Sequence, residues 1–115
     1  EVPLHINIDA PLDQIRERVQ DLMSGQDAPD GLVSSSGSSA IAANAGIEAA
    51  GLQIGRDLDL VAKQSTPILK WIRPEIITVH EDVRQAGREL AKAVIARIDG
   101  VEPQLLQSVS EPRWD

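Results

Sequence analysis

Hydrophobic and polar positions change their spacing along the chain, and each spacing predicts one kind of element. Residues 4–8 alternate apolar with polar side chains, which predicts a strand buried on one face. Apolar residues recur at helical spacing over residues 12–23 and again over 81–98, which predicts two amphipathic helices. Short apolar runs at 76–79 and 105–109 predict two further strands, the last of them followed by a short tail.

The centre of the chain has the pattern of a strand, a helix and a second strand. Apolar runs at residues 31–33 and 58–62 enclose an alanine-rich stretch over residues 40–50, in which Asn44 and Glu48 are the only polar or charged residues. A right-handed crossover of this kind makes a parallel strand pair, and parallel sheets are normally covered on both faces. The sequence therefore predicts an α/β fold with an open, mostly parallel sheet flanked by helices.

Polar residues gather where the two central strands end. Ser34, Ser36 and Gly37 follow the first strand in a serine-rich loop, and Gln64 follows the second. In open α/β sheets, ligands bind outside the carboxyl ends of the strands, where helix N-termini offer unpaired amide groups. We therefore expect these two neighbouring loops to form the wall of a small-molecule pocket.

The amino-acid composition argues against several kinds of binding partner and cofactor. The 115-residue chain has a net charge of −7 and 11 scattered basic residues, so we expect it not to bind nucleic acid by itself. Trp71 and Trp114 are the only aromatic residues besides histidine, which leaves a sugar little stacking surface. The sequence contains no cysteine, metal-ligand spacing or cofactor motif. It lacks a signal peptide and a membrane-length apolar run, so the cytoplasm is the expected compartment.

Five segments agree in order and spacing with one protein family. Residues 30–40 are similar to a strand that enters a "Ser/Asn-Asp…Ala" helix start, and residues 49–58 to the turn after that helix. Residues 73–79 are similar to an "x-PPLTTV" segment, residues 87–100 to a long helix and residues 105–113 to a closing strand. Together they resemble the C-terminal part of the effector-binding core of LacI-type (lactose-repressor family) transcription regulators. That core has the type I periplasmic-binding-protein fold.

The resemblance implies a division of the chain. Residues 1–77 would form part of the C-terminal subdomain, residues 78–102 a helix of the other lobe, and residues 103–115 the return strand and tail. The subdomain's first strand and helix, and the DNA-binding headpiece, have no counterpart in the sequence. We therefore expect a fragment whose incomplete sheet has unpaired edges, and which either dimerises, with or without exchange of elements, or rearranges its sheet.

The resemblance also implies a subunit interface. Ile41 and Ala45 in the central helix, and Trp71 and Ile72 after the second strand, stand where the family's subunits pack together. The alternative for Trp71 is a place in the hydrophobic core of its own subunit. A homodimer is the assembly that the resemblance implies.

Departures from the family pattern indicate the chemistry of the effector. Ser36 and Gly37 stand where the family often has a Ser-Asp or Asn-Asp pair, and residues 63–65 (Lys-Gln-Ser) where it usually has an aromatic residue and two aspartates. Ala10 stands where the family often has another aromatic residue at the effector site. Fewer carboxylates, no stacking ring and an added lysine fit an anionic or phosphorylated effector better than a neutral sugar.

Three functions fit these features to different degrees. The favoured one is the ligand-sensing and dimerising part of a LacI-type regulator, which needs no cofactor and contacts DNA through a headpiece outside these residues. A periplasmic solute-binding protein of the same fold is the alternative. A phosphosugar-handling enzyme would need an acid–base pair, for which His80 and Glu81 are the only adjacent candidates. Thr78 and Glu81 have the spacing of a helix capping box, which predicts an exposed His80 at a helix start and no catalytic residue.

Overall fold

The structure, a computed structural model, describes residues 10–114, so the strand predicted at residues 4–8 lies outside the described residues. The predicted central strand–helix–strand unit and both amphipathic helices are present. In chain order, the elements are α1 (Leu12–Met23), β1 (Gly31–Ser34), α2 (Gly37–Ala49), β2 (Asp59–Gln64), α3 (Leu69–Ile72), β3 (Ile77–His80), α4 (Val83–Ile98), a 3-10 helix (Pro103–Leu106) and β4 (Arg113–Trp114).

The strands form one sheet in the order β1-β2-β3-β4. β1 pairs with β2 and β2 with β3 in parallel, whereas β4 runs antiparallel to β3. The register aligns Ser34 with Ala62 and Gln64 with His80. Because parallel strands end at the same edge, the carboxyl ends of β1, β2 and β3 lie side by side. The predicted open, mostly parallel sheet is therefore confirmed.

The hydrophobic core lies between one face of the sheet and α2. This helix packs on β1 and β2, while α1 packs against α2, so α2 has neighbours on most of its circumference. Gly51 ends α2 with a φ of 79°, and the Leu52 amide donates back to the Ile47 carbonyl at 3.1 Å. The apolar residues buried in the core are Val19, Met23, Ala40, Ala43, Ile47, Ile54, Leu58, Leu60, Ala62, Leu69 and Ile76.

The opposite face of the sheet is open in the described part of the chain. The register places Val33, Val61 and Ile77 in one row across three strands. Val33 is 86% exposed and Ile77 39% exposed. Within residues 10–114, the expectation of a sheet covered on both faces is therefore wrong for this face, because α4 does not pack back over it.

Helix α4 extends away from the sheet. None of its residues is buried, and its exposed large apolar residues are Val83, Leu90, Val94, Ile95 and Ile98. Among the described elements it packs chiefly on the 3-10 helix. The molecule is correspondingly elongated, with principal dimensions of 58 × 26 × 24 Å. The apolar side of α4 thus has little to pack against within the described residues.

Three predictions in the C-terminal part of the chain are wrong. Residues 105–109 do not form a strand, because Pro103 starts a 3-10 helix; the strand of this region is β4, in the predicted tail. Helix α4 begins at Val83 and not at residue 81, because Asp82 is its N-cap and accepts a hydrogen bond from the Gln85 amide at 2.8 Å. Thr78 and Glu81 therefore do not form a capping box, and Thr78 lies in β3.

Candidate functional site

The serine-rich loop between β1 and α2 is held by its own hydroxyl groups. Ser36 has extended backbone angles and is the N-cap of α2, where its Oγ accepts from the Ser39 amide at 3.2 Å. The Ser34 hydroxyl donates to the Ser36 carbonyl at 3.0 Å and lies 2.6 Å from the Ser39 hydroxyl. The helix begins at Gly37, three residues earlier than the predicted apolar stretch. Ser34, Ser36 and Gly37 are therefore brought together in a loop of defined shape.

Gln64 lies at the carboxyl end of the neighbouring strand. It is the last residue of β2, which continues beyond the predicted end at Ala62, and its carbonyl accepts from the Glu81 amide at 2.9 Å. Gln64 is only 4% exposed, and its Oε1 accepts from the Leu69 amide at 3.4 Å. Gln64 is thus beside the serine loop in the sheet but buried, so little of its surface is open to a ligand.

Lys63 points to the other side of β2 and has a carboxylate partner. Its Nζ lies 3.2 Å from a Glu81 carboxylate oxygen, and both side chains are about half exposed. Exposed pairs of this kind contribute little to stability, but the partner offsets the positive charge locally. The lysine that the sequence suggested for an anionic effector is therefore already paired with an acid.

Ala10, the fifth predicted effector contact, lies just before helix α1. It is half-buried and directly precedes Pro11, the N-cap residue of α1. Among the hydrogen bonds of the described residues, none joins Ala10 to the serine loop or to Gln64. The sheet edge therefore gathers Ser34, Ser36, Gly37 and Gln64, while the role predicted for Ala10 stays a prediction.

The four predicted interface residues, Ile41, Ala45, Trp71 and Ile72, lie on the neighbouring helices α2 and α3, and we call them the α2–α3 patch. Ile41 and Ala45 are half-buried and one helical turn apart on α2, which packs against α3. On α3, Leu69 is fully buried, while Trp71 is 80% exposed and Ile72 36% exposed. The core alternative for Trp71 is therefore wrong, because the short helix uses Leu69 as its anchor and turns Trp71 to solvent.

An ion pair that no sequence pattern predicts borders the α2–α3 patch. Arg73, directly after α3, donates its Nε–H to Glu48 of α2 at 2.8 Å, and its terminal guanidinium nitrogen contacts the same oxygen. This hydrogen bond from Arg73 is the main cause of the lowered pKa of the Glu48 carboxyl. Lys70 lies over the Trp71 ring, 5.3 Å from its centroid. The patch therefore combines an exposed aromatic residue with charges of both signs.

No hydrogen bond joins His80 to Glu81, the acid–base pair considered for an enzyme, among the described residues. His80 is the last residue of β3 and not the start of a helix, and it is half-buried. None of the side-chain hydrogen bonds between described residues involves His80, and Glu81 pairs with Lys63. Over residues 10–114 there is also no group of three or more metal-ligating side chains, and no helix long and apolar enough to span a membrane.

The chain matches one protein family over nearly its whole length. Residues 3–114 match the family described as "Periplasmic binding protein-like domain". The HTH-type transcriptional regulator TreR of Escherichia coli (strain K12) is 42% identical over 48 residues, which are 41% of this chain and 15% of TreR. The family match includes all the segments that the sequence pattern singled out, which lie between residues 30 and 113.

Two solved structures share the fold. A LacI family transcriptional regulator from Arthrobacter sp. FB24, in complex with lactose, has a TM-score of 0.75 and 16% identity; the match covers 90% of this chain and 39% of that one. A regulatory protein of LacI family from Chloroflexus aggregans has a TM-score of 0.77 and 22% identity, covering 96% and 42% of the two chains. This chain thus spans about two fifths of the length of these structures. Both carry the family name that the sequence pattern predicts.

Proposed function

Since residues 3–114 match its description, this chain belongs to the periplasmic binding protein-like domain family, and we propose that it is the effector-sensing and dimerising part of a LacI-type transcription regulator. The observation that carries this proposal is the sheet edge, where the serine loop of β1 lies beside Gln64 of β2. Ligands of open α/β sheets bind at such an edge. His80 and Glu81 lack the contacts of a catalytic pair, so we propose recognition and no reaction.

The division into lobes is part of this proposal. Residues 1–77 carry the sheet edge and the α2–α3 patch, while α4, within residues 78–102, projects from the sheet with an exposed apolar side. A helix of this kind needs an apolar partner. We propose that α4 belongs to a second lobe, that residues 103–115 return to the first, and that the effector lies between the lobes. DNA would be contacted by a headpiece outside these residues, in the cytoplasm.

The proposed effector is a sugar or a phosphorylated, anionic metabolite. The serine hydroxyls and the Gln64 amide can exchange hydrogen bonds with sugar hydroxyls or phosphate oxygens. The N-terminus of α2, at Ser36 and Gly37, carries partial positive charge, which favours a phosphate over a neutral hydroxyl. Lys63 attracts an anionic effector less than its charge suggests, because Glu81 pairs with it. The phosphate preference therefore depends on the helix terminus and on the missing carboxylates.

Gly37→Asp should reverse the preference between matched neutral and phosphorylated sugars. No atom lies within 4 Å of a Cβ added at Gly37, so the first side-chain atom meets no neighbour, and aspartate places a carboxylate where the family often has one. Calorimetry with glucose 6-phosphate and glucose, on the full natural polypeptide, should show about tenfold weaker binding of the phosphate through charge repulsion. Gly37→Asn is the uncharged control and should change the ratio little. Binding of neither sugar to the unsubstituted protein would count against the effector proposal, and binding unaffected by Gly37→Asp would move the site elsewhere.

Trp71→Ala should weaken a homodimer without unfolding the subunit. Exposed tryptophans at the centre of an interface often contribute about 2 kcal/mol or more, so we expect the dimer dissociation constant to rise about thirtyfold. The 80% exposure of Trp71 predicts a change in unfolding free energy within about 0.5 kcal/mol. Sedimentation equilibrium measures the first and urea unfolding the second. Trp114→Ala, at a 63% exposed tryptophan outside the α2–α3 patch, is the matched control. A monomeric unsubstituted protein, or equal effects of both changes, would refute this interface.

A further inference from the structure

The short helix α3 depends on a side chain from another element for its start. Its N-cap position is Ile68, which has no side chain able to accept a hydrogen bond from the first turn. Leu69 is 0% exposed, so solvent water cannot accept a hydrogen bond from its amide. A buried amide without a partner is costly, and Gln64 Oε1, at 3.4 Å, is the acceptor that the fold provides.

Gln64 is therefore shared by two surfaces. It ends β2 at the edge where we propose that the effector binds, and its side-chain oxygen holds the first residue of α3. Helix α3 carries Trp71 and Ile72, the exposed half of the α2–α3 patch. The far end of α3 is held separately, because the Arg73 amide donates to the Leu69 carbonyl at 2.8 Å and Arg73 bonds to Glu48. Gln64 is the contact that joins the sheet edge to the start of the interface helix.

We propose, on the basis of the function proposed above, that Gln64 is a positioning residue that couples effector binding to dimerisation. A carboxamide carries its acceptor oxygen and its donor NH2 group on opposite sides of one rigid plane. A ligand oxygen that accepts from the NH2 group fixes that plane with its oxygen toward the Leu69 amide. The ligand thereby holds α3, and with it Trp71, in the dimer-competent position.

Thermodynamic linkage requires the coupling between ligand binding and dimerisation to be reciprocal. If the bound ligand strengthens the dimer by some factor, the dimer strengthens ligand binding by the same factor. For the unsubstituted protein we expect a factor of about five or more, the lower end of typical coupling between sites. The coupling should pass through Gln64 because α2, the other element common to both surfaces, begins at a loop already fixed by its own serine hydroxyls.

The test compares two changes at Gln64 in the full natural polypeptide. Gln64→Met keeps the length of the side chain but removes the acceptor, so without ligand we expect the dimer dissociation constant to rise about tenfold. Gln64→Glu keeps an acceptor oxygen at the same distance along the chain and should restore the dimer to within about threefold. Thr78→Val, at a residue 3% exposed in β3, is the control for a lost buried polar group and should leave dimerisation unchanged.

The ligand arm measures coupling by sedimentation equilibrium with and without glucose 6-phosphate, and with glucose as the second probe. Coupling that is present in the unsubstituted protein but absent in both Gln64→Glu, which lacks the NH2 donor, and Gln64→Met supports the proposal. Coupling that survives either change at Gln64, or an equal loss of dimer in Thr78→Val and Gln64→Met, overturns it. If neither probe binds the unsubstituted protein, the effector proposal fails, and the ligand-free comparison still decides whether Gln64 positions α3.

Discussion

Gly46→Ala should destabilise the fold more than any other single-methyl change in the described residues. A Cβ at Gly46 would lie 2.5 Å from the Arg16 carbonyl oxygen, 3.0 Å from the Val19 Cβ and 3.1 Å from the Gln20 amide nitrogen. The first contact is with backbone, which cannot rotate away, so α1 would have to move off α2. Overpacking of this kind costs about 3 kcal/mol, which corresponds to a melting temperature lower by roughly 10–20 °C. Urea and thermal unfolding measure both quantities.

Gly87→Ala is the matched control, because it adds the same methyl group to another helix. No atom lies within 4 Å of the position its Cβ would take on α4. Alanine favours a helix over glycine by up to about 1 kcal/mol, so this change should leave the chain equally stable or more stable. A similar loss of stability in both variants would mean that the close approach of α1 and α2 at Gly46 is not the cause. A neutral Gly46→Ala would mean that the two helices are farther apart than described.

Leu60→Ala should have the second largest effect. Leu60 is 0% exposed at the centre of β2, on the face covered by α2, and it pairs in register with Leu32. Truncation removes buried apolar surface and leaves a cavity that close-packed neighbours fill only in part. Such changes cost about 2–5 kcal/mol, and we expect about 3 kcal/mol in urea unfolding because α2 fixes the surrounding core.

The next residue along β2 supplies the comparison for Leu60. Val61 points to the open face, next to Val33 and Ile77, and is only half-buried. Val61→Ala should therefore cost less than about 1 kcal/mol. The difference between the two variants tests which face of the sheet carries the core. Equal losses would show that the second face is also covered in solution.

The sequence predicts those elements of the fold in which apolar residues recur at a regular spacing. The apolar spacing of residues 12–23 gives α1, and the all-apolar stretch around Ile47 gives a helix buried on most sides. The parallel pairing of β1 and β2 follows from the length of the crossover between them. Because parallel strands end at the same edge of a sheet, the sequence alone also predicts that Ser36 and Gln64 lie at one edge.

The parts that the sequence does not predict depend on contacts between distant residues. β4 is two residues long, which is too short for an alternation of apolar and polar residues, so only its pairing with β3 defines it. The apolar run at Leu105 and Leu106 resembles a strand, but Pro103 favours a tight helical turn. Within the site, the burial of Gln64 and the pairing of Lys63 with Glu81 arise from partners 5 and 18 positions along the chain, and no local pattern indicates either.

The projection of α4 from the sheet implies two levels of cooperativity within one polypeptide. No residue of α4 is buried, so its 16 residues can melt without exposing any of the core between the sheet and α2. Amide hydrogens of α4 would then exchange through local fraying, while those of β2 would exchange only when the whole core opens. Hydrogen exchange would thus show two parts within a single chain. The core between the sheet and α2 is stable by itself, whereas the order of α4 depends on the partner that it packs against.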